Sequence, residues 1–335
     1  MQTKGITKEK FAGLSRALSA AGRRVVAPVR KNGLVLFKSL EGNDEICLEE
    51  INPRLSIKEF FFPGTEPLLT YSWSEGNTTV SNARPESQKT VILGCRGCDA
   101  SSLPAMDALF NWEYRDDFYM KRRENTTVIS IACNRCDECC FCTSVGGGPH
   151  NTGGSDIMLS ATGDGGYLAE IITEKGAALA DELSSHFTKD ADKPLPYADV
   201  QVKFDLEKVR PELQEHFESP LWDEFSYKCL ACGCCTYVCP NCHCFDIQDE
   251  HTRTGGTRIR VWDGCQFPLF TKHTSGHNPR PTQGSRWRQR IQHKFNYYVE
   301  KFDRVSCVGC GRCIRHCPVN MNISEHLARI ANGDL

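Results

Sequence analysis

The chain has 335 residues, 40% of them hydrophobic, and a formal charge of -2 at pH 7. That is enough for two domains with real cores; it excludes a general nucleic-acid binder, which needs a clear basic excess, and direct membrane insertion, because no apolar run nears the roughly 18 residues of a spanning helix. Twenty cysteines suit a disulfide framework in a small secreted chain, but this chain is large and opens MQTKGITKEKF with no apolar leader core, so a reducing cytoplasm is expected.

In chain order, Phe11, Leu14 and Leu18 recur at helical spacing after Thr7, a candidate cap, and predict a first helix. RVVAPV and GLVLFKSL read as strands. KTVILGC, residues 89–95, reads as a β-branched strand feeding a turn, and the charged stretch Tyr114 to Glu124 leads into the strand TTVISIAC. GDGG at 163–166 reads as a hairpin turn. KDADKPLP, 189–196, marks a connection, and LEKVRPELQEHFESPLWDEFSYK beyond it looks helical, as does SRWRQRIQHKFNYYVEKF further on. The expected class is α+β: a mixed α/β domain over 1–205 and a helical domain over 206–335.

The second domain carries two copies of one cysteine pattern. CLACGCCTYVCPN places Cys229, Cys232, Cys235 and Cys239 before Pro240, and CVGCGRCIRHCPVN places Cys307, Cys310, Cys313 and Cys317 before Pro318. A tight Cys-x-x-Cys-x-x-Cys turn delivers three thiolates to a cubane while the fourth cysteine points elsewhere. In two-cluster ferredoxins that fourth cysteine ligates the partner cluster. The expected sets are therefore Cys229, Cys232, Cys235 and Cys317 for one 4Fe-4S cluster, and Cys307, Cys310, Cys313 and Cys239 for the other. Zinc sites also use Cys-x-x-Cys pairs, but as two pairs rather than three-plus-one runs ending in Cys-Pro. Compact bacterial ferredoxins keep their two runs close; the long helical stretch between Cys239 and Cys307 predicts an alpha-helical ferredoxin-like domain with an insertion.

The first domain has its own thiols, Cys95 and Cys98 in CRGCDA, and Cys133, Cys136, Cys139, Cys140 and Cys142 in CNRCDECCFC. Both groups follow predicted strands, and strand ends of an α/β layer are where loops gather into sites. A third cubane, a zinc site and buried thiols are the readings that spacing leaves open. The glycine runs 146–148 and 163–166 match neither phosphate-cradling pattern; Gly146 to Pro149 reads as backbone that approaches the third site.

The motifs GCRGCDA, RRE at 122–124, CFCTSVGGGP, CPNCHCFDI, WDGCQF, GHNPRP, HKF and CVGCGRC follow one another from about residue 24 to residue 325. In this order they resemble one family of iron-sulfur subunits, which includes the beta subunit of soluble NAD(P)-linked sulfhydrogenases and an iron-sulfur subunit of anaerobic sulfite reductase. Related subunits accompany flavin oxidoreductases coupled to heterodisulfide reductase. The resemblance implies an oxygen-sensitive electron-transfer subunit of a multisubunit anaerobic oxidoreductase, with three 4Fe-4S clusters. It would stand between a flavin subunit that meets NAD(P)H and a separate catalytic subunit of hydrogenase, sulfite reductase or heterodisulfide reductase type, with no catalytic residue of its own. It also implies Cys98, Cys133, Cys140 and Cys142 as third-cluster ligands, although the additional Cys95, Cys136 and Cys139 leave room for exchange.

Eight cysteines remain: Cys47, Cys95, Cys136, Cys139, Cys234, Cys242, Cys244 and Cys265. They read as packing residues, with Cys242, Cys244 and Cys265 as a further site the competing reading. Arg280, Arg286, Arg288, Arg290 and Lys294 form a run without an acidic residue, read either as a solvated helix face or as cations that offset clusters or dock an acidic partner. Two other functions compete with electron transfer. An enzyme with an open-iron cluster needs a missing ligand where thiols abound, and a redox-sensing interaction protein needs only one labile cluster.

Overall fold

The computed structural model describes residues 2–42, 44–74 and 76–335. Among these residues eleven strands run β1 (Gln2–Ile6), β2 (Arg24–Lys31), β3 (Leu34–Ser39), β4 (Thr65–Ser74), β5 (Asn77–Asn82), β6 (Thr90–Arg96), β7 (Thr126–Ile131), β8 (Ile157–Ala161), β9 (Tyr167–Ile171), β10 (Phe245–His251) and β11 (Gly255–Trp262). Seven form one sheet in the order β1-β9-β8-β7-β6-β2-β3. Its centre, β2, β6, β7 and β8, is parallel, and antiparallel strands close both edges.

The central strands are continuous apolar runs because both faces are covered. Val91, Leu93, Ile129 and Ile131 pack on one side with Leu14 and Leu18 of the helix Lys8–Ala20, which Thr7 caps through an N–H of Lys10 at 3.4 Å. Val26, Ile92 and Val128 point the other way, onto Phe61, Phe62, Met106, Phe110 and Tyr119. Each leucine so buried stabilises the fold by roughly 1.5–3 kcal/mol. The parallel strands β6 and β7 end at the Cys98 and Cys133 loops, so the topology brings these loops to one sheet edge.

The mixed α/β class holds. The part after residue 205 is helical at Leu206–Glu215, Leu221–Ser226, Gln283–Gln292, Tyr298–Phe302 and Ile323–Ala331. It also contains the hairpin β10–β11, which the helical expectation did not include. The hairpin joins β4 and β5 in an antiparallel sheet of order β10-β11-β4-β5. A third core, built on Val209, Leu213, Trp222, Trp287, Ile291, Ile314 and Leu327, takes in Phe141 and Val145 from the first half.

Candidate metal centres

Each ferredoxin run is a loop followed by one helical turn, Cys234–Tyr237 and Arg312–Arg315. Ala231 and Gly233 take φ of 54° and 71° in the first run; Gly309 and Gly311 take 63° and 74° in the second. The same two left-handed residues at the same offsets curl each backbone around its cysteines, a conformation that favours glycine. A Cβ on Gly233 would lie 2.2 Å from the Phe267 ring, and one on Gly311 2.4 Å from the Cys139 carbonyl oxygen.

The thiols of the two runs lie within reach of one another. Cys229 stands beside Cys317 and Cys232, and Cys235 within range of Cys229. The charge of Cys239 is felt at Cys307, Cys310 and Cys313. Cys265 and Cys313 act on Cys235 more strongly than Cys229 does, so the two runs adjoin. Several sulfurs already accept hydrogen bonds: Cys229 from Gln283 Nε2 at 3.1 Å, Cys317 from the Met321 N–H at 3.2 Å and Cys239 from Lys294 Nζ at 3.4 Å. Burial pushes the thiols of Cys235 and Cys307 up to about 12 and that of Cys313 to about 11. Thiolates are unfavourable in such a place unless iron bonds them, so this donor set fits a metal cluster better than free sulfhydryls. Among the described residues no three His, Cys, Asp or Glu side chains draw together closely enough to hold one metal ion; a cubane spreads its four thiolates around a cluster.

Cys98, Cys133, Cys140 and Cys142 line a single cavity, with Cys136 among them and Cys310 of the second run in its wall. Cys98 opens from the short turn Gly97–Ala100 after β6, and Cys142 begins the turn Cys142–Val145. The Phe141 N–H donates to the Gly309 carbonyl at 2.9 Å, and a Cβ on Gly309 would lie 2.5 Å from the Cys142 backbone. Asn52 ties the walls together, donating to the Cys310 carbonyl at 3.2 Å while its Oδ1 accepts from Cys98 at 3.5 Å. Burial raises the Cys140 thiol to about 12 and the Cys142 thiol to about 11. Cys95 is outside this cavity, fully buried in the sheet core, and Cys139 packs on the third core near Gly311.

The basic run is not a solvated face. Arg286, Arg290 and Lys294 recur every four residues and are 6%, 2% and 3% exposed. Arg290 donates to the Cys235 carbonyl at 2.9 Å and to Cys242 Sγ at 3.5 Å, and Lys294 also donates to the Ser306 carbonyl at 2.7 Å. Burial alone would lower Lys294, but Cys239 and Cys242 more than offset it and its pKa is raised, so the ammonium stays charged. Arg288 turns outward to Glu218 at 2.7 Å. Trp287 is core, its indole N–H donating to His326 Nδ1 at 3.0 Å.

Three positioning residues were not read from the sequence. Lys58 donates to the Cys242 carbonyl at 3.0 Å. Asp99 and Arg312, both completely buried, form a bidentate pair at 2.7 and 2.8 Å, with Arg312 Nε on the Pro53 carbonyl at 2.9 Å. Asp99 and Arg312 stand next to Cys98 and Cys313 in motifs already singled out, whereas Lys58 had no such neighbour.

Two left-handed loops, eight thiols and their buried cations define an iron-sulfur electron-transfer protein, and residues 228–321 match the family of 4Fe-4S dicluster domains. Across its length the chain is 30% identical to sulfhydrogenase 2 subunit beta of Pyrococcus furiosus, covering 97% of each protein. The chain belongs to that family of iron-sulfur subunits. No solved structure matches it, and among the described residues no helix is long and apolar enough to cross a membrane.

Proposed function

We propose that the chain is a cytoplasmic relay holding three 4Fe-4S clusters between a flavin- and NAD(P)H-reactive partner and a separate catalytic subunit of hydrogenase, sulfite reductase or heterodisulfide reductase type. The observation that carries this reading is the continuity of the thiols: Cys310 forms part of the wall of the third cavity, and Cys313 of the same run faces Cys235 of the first. Cys229, Cys232, Cys235 and Cys317 hold the first cluster, Cys307, Cys310, Cys313 and Cys239 the second, and Cys98, Cys133, Cys140 and Cys142 the third. We divide the chain near residue 205 into a domain for the third cluster and one for the other two.

Bound clusters supply reversible one-electron chemistry. Arg290 and Lys294 offset negative charge between the two runs, and the amides on Cys229 and Cys317 stabilise the anionic sulfurs. Cys232, the exposed member of the first group, puts that end of the series at the surface.

Iron and acid-labile sulfide per chain, measured on anaerobically purified protein with zinc in the same sample, test the count. About 12 irons support three cubanes, and about 8 remove the third. Cys310→Ser is expected to remove about four irons and to interrupt transfer through the second cluster; full iron with full electron transfer in that variant overturns the ligand set.

A further inference from the structure

Cys244 and Cys265 lie outside the twelve cysteines assigned above. The Cys244 carbonyl accepts from the Asp263 N–H at 3.0 Å, extending the β10–β11 ladder beyond the Phe245 and Trp262 pair. Cys265 follows two residues after Asp263, and it lines the same cavity as Cys244. Gln266 Nε2 reaches Cys265 Sγ at 3.6 Å. Both cysteines are partly exposed and open onto a cavity of about 320 Å³ with Phe270, Arg280, Arg290 and His293 in its wall. Cys265 is also among the groups whose charge acts on Cys235.

A packing cysteine looks different. Cys95 has no accessible surface and sits among Ile92, Val128 and Met106. Reactive cysteines occupy electropositive, partly exposed surroundings, and the cavity bordered by Arg280 and Arg290 is such a place. Two thiols carried on neighbouring, hydrogen-bonded backbone segments and opening into one cavity are placed for a disulfide to close between them.

We propose that Cys244 and Cys265 form a redox-active dithiol beside the first ferredoxin run, cycling between two thiols and one disulfide. Oxidation joins the sulfurs and releases two protons through the cavity to solvent and two electrons, which pass singly to two oxidised carriers of the 4Fe-4S class; reduction reverses each step. The identity of these carriers rests on the relay reading, and the thiol chemistry does not. The pair gives the chain a place where electrons are held two at a time among centres that handle one.

The test uses anaerobically purified holoprotein poised at a series of potentials with redox mediators, thiols blocked at an acid quench, and peptide mapping by mass spectrometry. The expected result is a peptide linked through Cys244 and Cys265 at oxidising potentials. It should give way to two blocked thiols at reducing ones, with a two-electron dependence on potential. Cys265→Ser should keep the wild-type iron content and lose the linked peptide. No linked peptide at any potential, or a linkage that low potential does not reopen, overturns the proposal. So does loss of iron from both Cys244→Ser and Cys265→Ser, which would make the two thiols cluster ligands. A wild-type count of about 8 irons refutes the three-cluster relay and leaves the peptide map to decide the dithiol by itself.

Discussion

Ala231 and Gly309 occupy the same place in the two ferredoxin loops and share a left-handed backbone, yet only one is glycine. The difference lies in what each faces. A Cβ at 309 would meet the backbone of Cys142 at 2.5 Å, whereas position 231 carries its methyl group. Gly309→Ala is therefore expected to cost at least about 1–3 kcal/mol, the usual range for strained backbone, and to release iron from the third site first. Ala231→Gly should leave the iron count unchanged. Iron per chain in the two variants decides this.

Lys294 makes a second case at this scale, because its ammonium is buried against Cys239 Sγ at 3.4 Å. A unit charge about 4 Å away at an effective dielectric of about 20 is worth about 4 kcal/mol. Removing even a fraction of that by Lys294→Met should shift one midpoint potential negative by tens of millivolts in a redox titration followed by EPR. The spacing of the thiols was open to reading because cluster geometry dictates it. The inward turn of Lys294 was not, since a charge run looks the same on a wet helix face and on a buried one.

The helix Gln283–Gln292 continues through a wide π-helical turn, His293–Tyr297, into Tyr298–Phe302. Its helical character was legible from composition; the wide turn, which depends on packing, was not. Trp287 connects it to the helix Ile323–Ala331 through His326. Burial lowers the pKa of His326 to about 4, against about 6.5 in an unfolded chain. Between those values the unfolded chain binds the extra proton. The stabilisation is thus complete above about pH 6.5 and is lost as the pH falls toward about 4, up to about 3 kcal/mol in all. His326→Gln keeps an acceptor for the indole N–H and cannot titrate. Its unfolding midpoint should fall less than that of the wild type between about pH 7 and about pH 5, as denaturant titrations at both pH values will show.

Across the whole molecule, one ion pair fastens the Cys98 turn to the second ferredoxin run. Asp99 and Arg312 are both without solvent exposure, and removing one partner of such a pair typically costs about 3–5 kcal/mol because the other charge is left buried alone. Asp99→Ala should destabilise the protein by that amount in chemical denaturation. Replacing both residues by apolar ones of similar volume should cost less. The strands β6 and β7 were readable from their β-branched runs, though their parallel pairing was not. The four-stranded sheet was not: β5 and β10 are exposed along their whole length, and their polar sequences carry little of the signal that marks a strand. The Cys98 and Cys133 loops could be placed at strand ends from sequence, but their meeting with Cys310 depends on contacts between distant parts of the chain.

The sheet β10-β11-β4-β5 draws its strands from two distant parts of the chain, and this sets an order of events at the ribosome. While the chain emerges, β4 and β5 have only each other, and a lone two-stranded hairpin is marginal in water. The free edge of β4 has no neighbour until synthesis has passed Trp262, and unpaired edges of this kind are open to pairing with another chain. A nascent chain halted between its two halves would carry that open edge, so the later hairpin protects the earlier one.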